Sequence, residues 1–371
     1  MTIDQRVEHH LLTRLLWWQY ELNLLTIEAI ETLLTSIQEA QAEIMVKIQA
    51  DIEGIAKLSE WRKEYDEQVM VWMDGITAST RANVTSLITD ASIGVALASI
   101  DNLNDTLSFG GKAKAASIIE GLTSEQIQEF FIHQPLGGRL LAEWVDRSFS
   151  HGAQEMMLNA IRVGVLQGES IQKLEQRVIN AAAQGFGITQ REVSTLVRTY
   201  VQAANVGAQE HVYKQNEDII KAYKRTETLD NHTCIICALA DGAVYKRNEQ
   251  RPQLPAHANC RGIYLPILVP FRELGLDMDD FEDIERNWAM RDTGPLGTHA
   301  AKLLYFGKYK GDYHGWWQEL TPEEKAKTSI GPVRQKLLES GAVKWEDMWD
   351  RASGLPLTLE QMGFTLSGEK M

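Results

Sequence analysis

The sequence predicts a mainly α-helical protein with one small β segment near its middle. The first proline is Pro135, and apolar residues before it recur at helical spacing. Residues 221–230 alternate in the way of a half-exposed strand, and residues 262–270 are rich in strand-forming side chains. We therefore expect long helices in residues 1–150, a helical region with a small β knuckle in residues 151–275, and a helical C-terminal region in residues 276–371.

The N-terminal region carries the clearest helical pattern. Its apolar residues follow one another in steps of three, four or seven, which defines one face of a helix: Ile30, Leu34, Ile37, Ile44, Ile48, Ile52, Ile55 and Leu58. A long amphipathic helix or a helical hairpin is expected. Residues 11–18 are apolar on all sides of a helix, so we expect them to be buried against another element or another subunit.

Turn and capping residues divide the rest of the helical pattern. Residues 108–111 predict a break, Thr123 a helix start, and Pro135 with the following glycines a turn, so a domain boundary is placed near residue 150. Residues 185–187, Gly-Phe-Gly, predict an interruption, with a new helix capped at Thr189. Helix is expected again from about Met278, with a start at Thr321 and a stop at Gly341.

Composition restricts the class of protein. The formal net charge of −14 is uneven, because residues 1–150 hold 11 Lys and Arg against 22 Asp and Glu. Broad contact with phosphates needs clustered positive charge, so any DNA contact is expected in the C-terminal half. There is no signal-peptide pattern and no run of 18 apolar residues, which predicts a cytosolic chain without a membrane span.

All three cysteines lie within 27 residues, in the pattern Cys234-x2-Cys237, 19 residues, His257-x2-Cys260. Two such pairs, brought together by a hairpin with its turn at Asp241-Gly242, can hold one tetrahedral zinc ion. Four protein ligands leave no coordination position open for water or substrate. The site is therefore predicted to be a structural zinc knuckle. Alternatives are an incidental cluster, a redox CxxC motif without its usual βαβ context, or Asp230 or His232 as the fourth ligand.

Sequence motifs for catalysis are missing. None of the nine histidines is followed by x-Glu, and the HExxH, G-x-S-x-G and phosphate-loop patterns do not occur. The sequence therefore predicts a protein that is not an enzyme.

Two sets of basic residues are candidates for contact with DNA or with a partner. The first surrounds the cysteines: Lys221, Lys224, Arg225, Lys246, Arg247, Arg251 and Arg261. The second accompanies Trp316, Trp317, Trp345 and Trp349, but residues 301–350 hold eight acids beside eight bases. Aromatic and basic residues together can bind nucleic acid, although the same composition is more often a core with a solvated face.

Three runs within residues 155–270 form an ordered pattern: LVRTYVQAANVGAQEHVYKQN, KAYKRTETLDNHTCIICALADGAVY and PAHANCRGIYLPI. This pattern resembles the head-morphogenesis, or minor head, proteins of tailed bacteriophages, the group named after the F protein of phage Mu. The matching positions are Arg198-Thr199, Asp230, Cys234, Cys237, Asp241-Gly242, His257, Asn259, Cys260 and Arg261. Ala258 replaces the usual proline, and Gly262 stands where many members have another cysteine, which makes His257 the natural fourth ligand.

The resemblance implies a structural component of the virion. Several copies of it are recruited to the portal vertex. The implied partners are the portal protein, the major capsid or scaffolding protein, and packaged double-stranded DNA, without a membrane. The implied location is the capsid interior near the portal, after assembly in the host cytoplasm, with ejection alongside the DNA. Two alternatives remain: a zinc-ribbon nucleic-acid-binding protein, and a phage-delivered toxin or enzyme whose effector lies in residues 290–371.

Overall fold

The computed structural model describes residues 18, 22, 25–43, 46, 63–110, 135, 139–218, 220–268, 285–290 and 304–371. The chain divides into two compact units, and each is discontinuous in sequence. A helical unit comprises Leu22–Leu97 and Leu122–Ala204, and a mixed unit comprises Met1–Glu21, Ala98–Gly121 and Asn205–Met371. The protein is mainly helical with a small sheet region, as the sequence predicts.

The helical unit contains α1 (residues 25–43), most of α2 (Lys63–Gly110), α3 (Leu141–Phe149), α4 (Glu155–Leu166) and most of α5 (Ile171–Gln215). The predicted apolar face of α1 is confirmed at Ile30 and Ile37, which are buried together with Leu33. Ile44 and the predicted apolar positions after it lie outside the described residues, as does the helix start at Thr123.

The break predicted at residues 185–187 is wrong, because α5 continues through them. Thr189 is not an N-cap; its hydroxyl donates to the carbonyl oxygens of Ser148 (3.0 Å) and Gly185 (3.2 Å). A π-helical turn, Ser150–Gln154, joins α3 to α4. This turn packs on α5 at Gly185, because a Cβ at Gly152 would lie only 2.7 Å from the Gly185 carbonyl oxygen. Close packing against this turn outweighs the helix cost of two glycines, about 1 kcal/mol each.

The mixed unit holds two three-stranded sheets. In the first, β1 (Ile220–Thr226) lies between β3 (Val244–Lys246) and β4 (Ile263–Leu268), and both pairings are antiparallel. These are the strands predicted from residues 221–230 and 262–270. In the second, β5 (Glu285–Met290) pairs in parallel with β2 (Leu229–Asp230) and antiparallel with β6 (Leu304–Lys310).

The helix expected from about Met278 is wrong at β5 and β6, which are strands. Their pairing with each other and with β2 is non-local, so a local helical pattern does not reveal it. The later predictions are confirmed: Thr321 caps α8 (Pro322–Lys325) in a capping box with Glu324, and α9 (Pro332–Glu339) ends before Gly341, whose φ is +71°. A 3₁₀ turn, Trp345–Met348, and the hairpin β7 (Trp349–Asp350) and β8 (Leu355–Pro356) follow.

The C-terminal part is built on an apolar cluster that we call the aromatic core. Its largest members come from α7 (Tyr313–Glu319) and the 3₁₀ turn, and the Tyr313 and Trp316 rings meet edge to face at 4.9 Å. Leu229, Ala238 and Leu239 belong to the same cluster. The cysteine-bearing segment and the C-terminal part therefore share one core.

Two further segments bear on sequence expectations. Trp18, in the run predicted to be buried, is half-buried in the mixed unit, where its indole N–H lies 2.9 Å from Ser99 Oγ and 3.0 Å from Asn205 Oδ1.

Segment Thr77–Asp101 of α2 is long and apolar enough to cross a membrane, with 44% of its most apolar window buried. Core helices of soluble proteins share that length and composition, so the absence of a membrane span stays a prediction.

Candidate metal centre

The Cys/His module, residues 220–268, brings the predicted ligands together on short, hydrogen-bonded turns. Cys234 is the N-cap of α6 (Ile235–Ala240), so Cys237 lies in the first turn of that helix. Gly242, with φ at +81°, donates its N–H to the carbonyl of Arg225 (2.9 Å) and starts β3 beside β1. The predicted Asp-Gly turn is therefore confirmed, but it joins α6 to β3 and not two strands, so the predicted hairpin is wrong.

The second ligand pair lies on a tight turn that leads into β4. The N–H of Cys260 donates to the carbonyl of His257 (3.1 Å). Asn259 sits inside this turn with φ at +59°, the left-handed region that asparagine tolerates better than most residues. This turn, rather than a regular strand, presents His257 and Cys260 to α6.

Among the described residues, two groups of donor atoms are close enough to hold a metal ion. The outer triad is Cys234, Cys237 and His257, and the inner triad is Glu227, Cys237 and Cys260. His257 Nε2 lies 3.0 Å from Cys234 Sγ and 3.2 Å from Cys237 Sγ. Cys237 Sγ lies 3.9 Å from Cys260 Sγ. All four predicted ligands therefore belong to this cluster, with Cys237 common to both triads.

The donor set fits a zinc ion. Zinc binds sulfur at about 2.3 Å and imidazole nitrogen at about 2.0–2.1 Å, so the edges of a tetrahedron are about 3.8 Å between sulfurs and about 3.5 Å from sulfur to nitrogen. The separation of Cys237 and Cys260 matches, and the distances from His257 to Cys234 and Cys237 are a few tenths of an ångström short. Cys260 lies outside the group that Cys234, Cys237 and His257 form within 4.8 Å, so one ion with all four ligands requires the two turns to move closer together. The Nδ1 of His257 lies 2.7 Å from the carbonyl oxygen of Ala258, the hydrogen bond that commonly orients a metal-binding histidine.

The charges of the cluster are strongly coupled. Hydrogen bonding with Cys237 lowers the pKa of Cys234 to about 4 and that of Cys260 to about 5. The same hydrogen bonds, to Cys234 and Cys260, raise the pKa of Cys237. Hydrogen bonding with Cys234 raises the pKa of His257 to about 9. Near neutral pH the metal-free cluster therefore holds two thiolates, one thiol and one imidazolium. A metal ion would displace the two protons that remain.

A buried ion pair supports the inner triad. Arg225 Nε donates to Glu227 Oε1 (2.7 Å), and the two side chains are 0% and 1% exposed. Arg225 Nη2 lies 3.8 Å from Cys237 Sγ, so the guanidinium faces both a carboxylate and a sulfur. Burial raises the pKa of Glu227 to about 7.

Two more ion pairs tie the module together. Arg261 donates to both oxygens of Asp230, at 2.6 and 2.8 Å, and so links the segment before Cys234 to the residue after Cys260. Arg286 on β5 binds both oxygens of Asp241, at 2.9 and 2.7 Å. The same Asp241 carboxylate accepts the backbone N–H groups of Glu227 (2.7 Å) and Tyr313 (2.6 Å). The turn aspartate thereby fixes the module against the C-terminal part.

The seven basic residues named from the sequence do not form one face. Arg225 is fully buried, so it cannot contact DNA or a partner, and Arg261 is paired with Asp230. Arg251 binds the Glu210 carboxylate (2.6 Å) and covers the ring of Tyr223. The four remaining basic side chains are exposed or half-buried and lie on or next to β1 and β3: Lys221, Lys224, Lys246 and Arg247. The tryptophans of the second set, Trp316, Trp317 and Trp345, lie in the aromatic core.

The structure also separates true neighbours of the cluster from other candidates. The two alternative fourth ligands, Asp230 and His232, do not belong to either triad. Asp230 forms an ion pair with Arg261, and His232 is exposed. Glu227 was not predicted from the sequence. A signal was available, because residues two apart in an extended chain share a face, and Glu227 directly follows β1, two residues after Arg225.

No family model, curated protein or solved structure matches the chain.

Proposed function

We propose that the chain is a minor head protein of a tailed bacteriophage, a non-catalytic component of the virion. In this proposal several copies associate with the portal vertex inside the capsid, and a structural Zn²⁺ ion holds the Cys/His module together. The major capsid or scaffolding protein and the packaged DNA are further partners in this proposal.

The observation that carries the proposal is the way the residues of the head-morphogenesis motif from Asp230 to Arg261 meet in one module. The first two residues of the motif lie on α5, outside the module. Asp230 and Arg261 are 31 residues apart and form a bidentate pair 2.6 and 2.8 Å long beside the cysteines. Asp241 and Gly242 form the turn from α6 to β3, between the two ligand pairs in the sequence. Each of these motif residues has a structural partner, which suits a module built for assembly.

The donor set supports a structural ion. Three sulfurs and one imidazole are the ligands that zinc prefers in closed tetrahedral sites, whereas a catalytic zinc keeps a position for water or substrate. Cys237 and Cys260 are buried, and α6 behind them packs on the aromatic core. An ion held there joins the two ligand-bearing turns and stabilises the position of α6.

Co-expression of the full chain with the portal protein of the same phage tests the assembly role. We expect the two to co-purify as one high-molecular-weight species, and the double variant Cys234→Ser, Cys237→Ser to co-purify less. The matched control is Val244→Thr, a change of similar shape at a side chain 41% exposed on β3 of the same module, which leaves the donor atoms in place. A chain that stays monomeric and binds neither portal nor capsid protein would refute the proposal.

A further inference from the structure

We propose that the carboxylate of Glu227 is a ligand of this metal centre, an oxygen donor on its buried side. The inference rests on the proposed metal centre. With the four donors that the sequence motif supplies, Glu227 would make this centre five-coordinate instead of tetrahedral. The inner triad of Glu227, Cys237 and Cys260 is as complete a set of donors as the outer triad, since in each the ligand atoms lie within 4.8 Å of one another.

The backbone at Gly262 leaves room for this carboxylate. A Cβ at position 262 would lie 2.6 Å from Glu227 Cδ and 2.7 Å from Oε2, closer than Cβ atoms approach other groups. The carboxylate therefore fills the space that any side chain at 262 would occupy, two residues after Cys260. Glycine at this position lets an acidic group approach the sulfurs.

Charge gives the physical reason for a ligand role. Glu227 and the three cysteines contribute up to four negative charges, and the Glu227 side chain is only 1% exposed. Arg225, which binds Oε1, offsets one of these charges. Buried charges in proteins are paired or bind metals, and a divalent ion beside Oε2 would offset two more. Zinc accepts carboxylate oxygen at about 2.0–2.2 Å.

The two triads differ in exposure, and this predicts how the centre responds to loss of a ligand. All three members of the inner triad are buried, whereas Cys234 and His257 of the outer triad are half-buried. If Glu227 is a ligand, Cys234, Cys237, Cys260 and Glu227 still provide four donors when His257 is removed. The ion should then remain bound without its only nitrogen ligand.

Cobalt(II) titration of the full-length chain tests this, because the cobalt absorption spectrum reports the number and type of ligands. We expect His257→Ala to retain one ion per chain with a shifted spectrum. We expect Glu227→Gln to bind at least about tenfold more weakly, also with a shifted spectrum. The double variant should lose the ion. Gly262→Ala displaces the carboxylate without removing its charge and should shift the spectrum in the same direction as Glu227→Gln.

Asp230→Asn is the matched control, since it also removes a buried carboxylate from an arginine pair in the module. It should leave the cobalt spectrum as in the wild type, which separates loss of a ligand from general destabilisation. Wild-type spectra and affinity in both Glu227→Gln and Gly262→Ala would overturn the role of Glu227 alone, as would complete loss of the ion in His257→Ala. A wild-type chain that takes up no cobalt would instead refute the metal centre itself.

Discussion

The Cys/His module and the aromatic core belong to the same unit, but different interactions stabilise them. The module places three cysteines, one histidine and three arginine–carboxylate pairs around a few short strands. The aromatic core buries large rings, among them Tyr313, Trp316, Trp317 and Trp345. Apolar burial stabilises a core without a ligand, whereas a cluster of anionic donors needs a cation. The module should therefore depend on metal, and the core should not.

The largest expected effect is loss of the metal. Cys237→Ser removes the donor common to both triads. Structural zinc sites bind with about 10–16 kcal/mol in small zinc-dependent folds, so the module should lose its ordered structure. Hydrogen exchange should accelerate in β1, β3 and β4 and change much less in α9. Val244→Thr, at a side chain 41% exposed on β3, should retain the metal and the protection. Equal loss of protection in the module and the aromatic core would contradict the comparison.

The converse change is Trp316→Ala in the aromatic core. Trp316 is 2% exposed, and truncation of a buried aromatic side chain costs about 3–5 kcal/mol. Denaturant unfolding followed by tryptophan fluorescence should show this loss, while the metal content stays that of the wild type. Leu355→Ala, at a side chain 54% exposed, should change stability by less than about 0.5 kcal/mol. Metal loss in the Trp316 variant would show that the two regions are not separable.

A smaller effect, confined to the module, is expected from pH. In the metal-free cluster His257 has its pKa raised to about 9 by Cys234, and the pKa of Cys237 is raised as well. Between pH 7 and 8 zinc binding should therefore release about two protons, and affinity should rise about a hundredfold per pH unit. Below the Glu227 pKa of about 7 a third proton is released if this carboxylate binds the ion, so the slope becomes steeper. Competition with a chelator measures this slope. An affinity independent of pH would contradict it, and the stability of the aromatic core should not follow it.

The smallest expected effect separates the two basic surfaces. Lys221 and Lys246 lie exposed on the module, and Lys327 and Lys344 lie exposed on the C-terminal part. If the module contacts DNA, Lys221→Ala with Lys246→Ala should lower the salt dependence of binding by about two units of slope, because each phosphate contact contributes about 0.9. Lys327→Ala with Lys344→Ala serves as the control. A change in the control pair alone would place the contact on the C-terminal part.

The same two regions show what could be predicted from sequence. The Asp241-Gly242 turn and the Thr321 cap are local patterns, and the structure has both. The ligand spacing is local as well, and it brings Cys234, Cys237 and His257 together, whereas Cys260 groups with Cys237 and Glu227. The contact of Arg286 with Asp241 joins distant segments, which local patterns do not report. Strand β5 was expected to be helical, and it supplies Arg286 to the turn aspartate of the module. Helix α5 was expected to break at glycines that its packing tolerates.

Zinc analysis of the purified full-length chain, beside the Cys237→Ser variant, tests the central claim most directly. A structural site with these donors predicts about one zinc ion per wild-type chain and almost none in the variant. A zinc content near zero in the wild type, or an equal content in both proteins, would contradict the account.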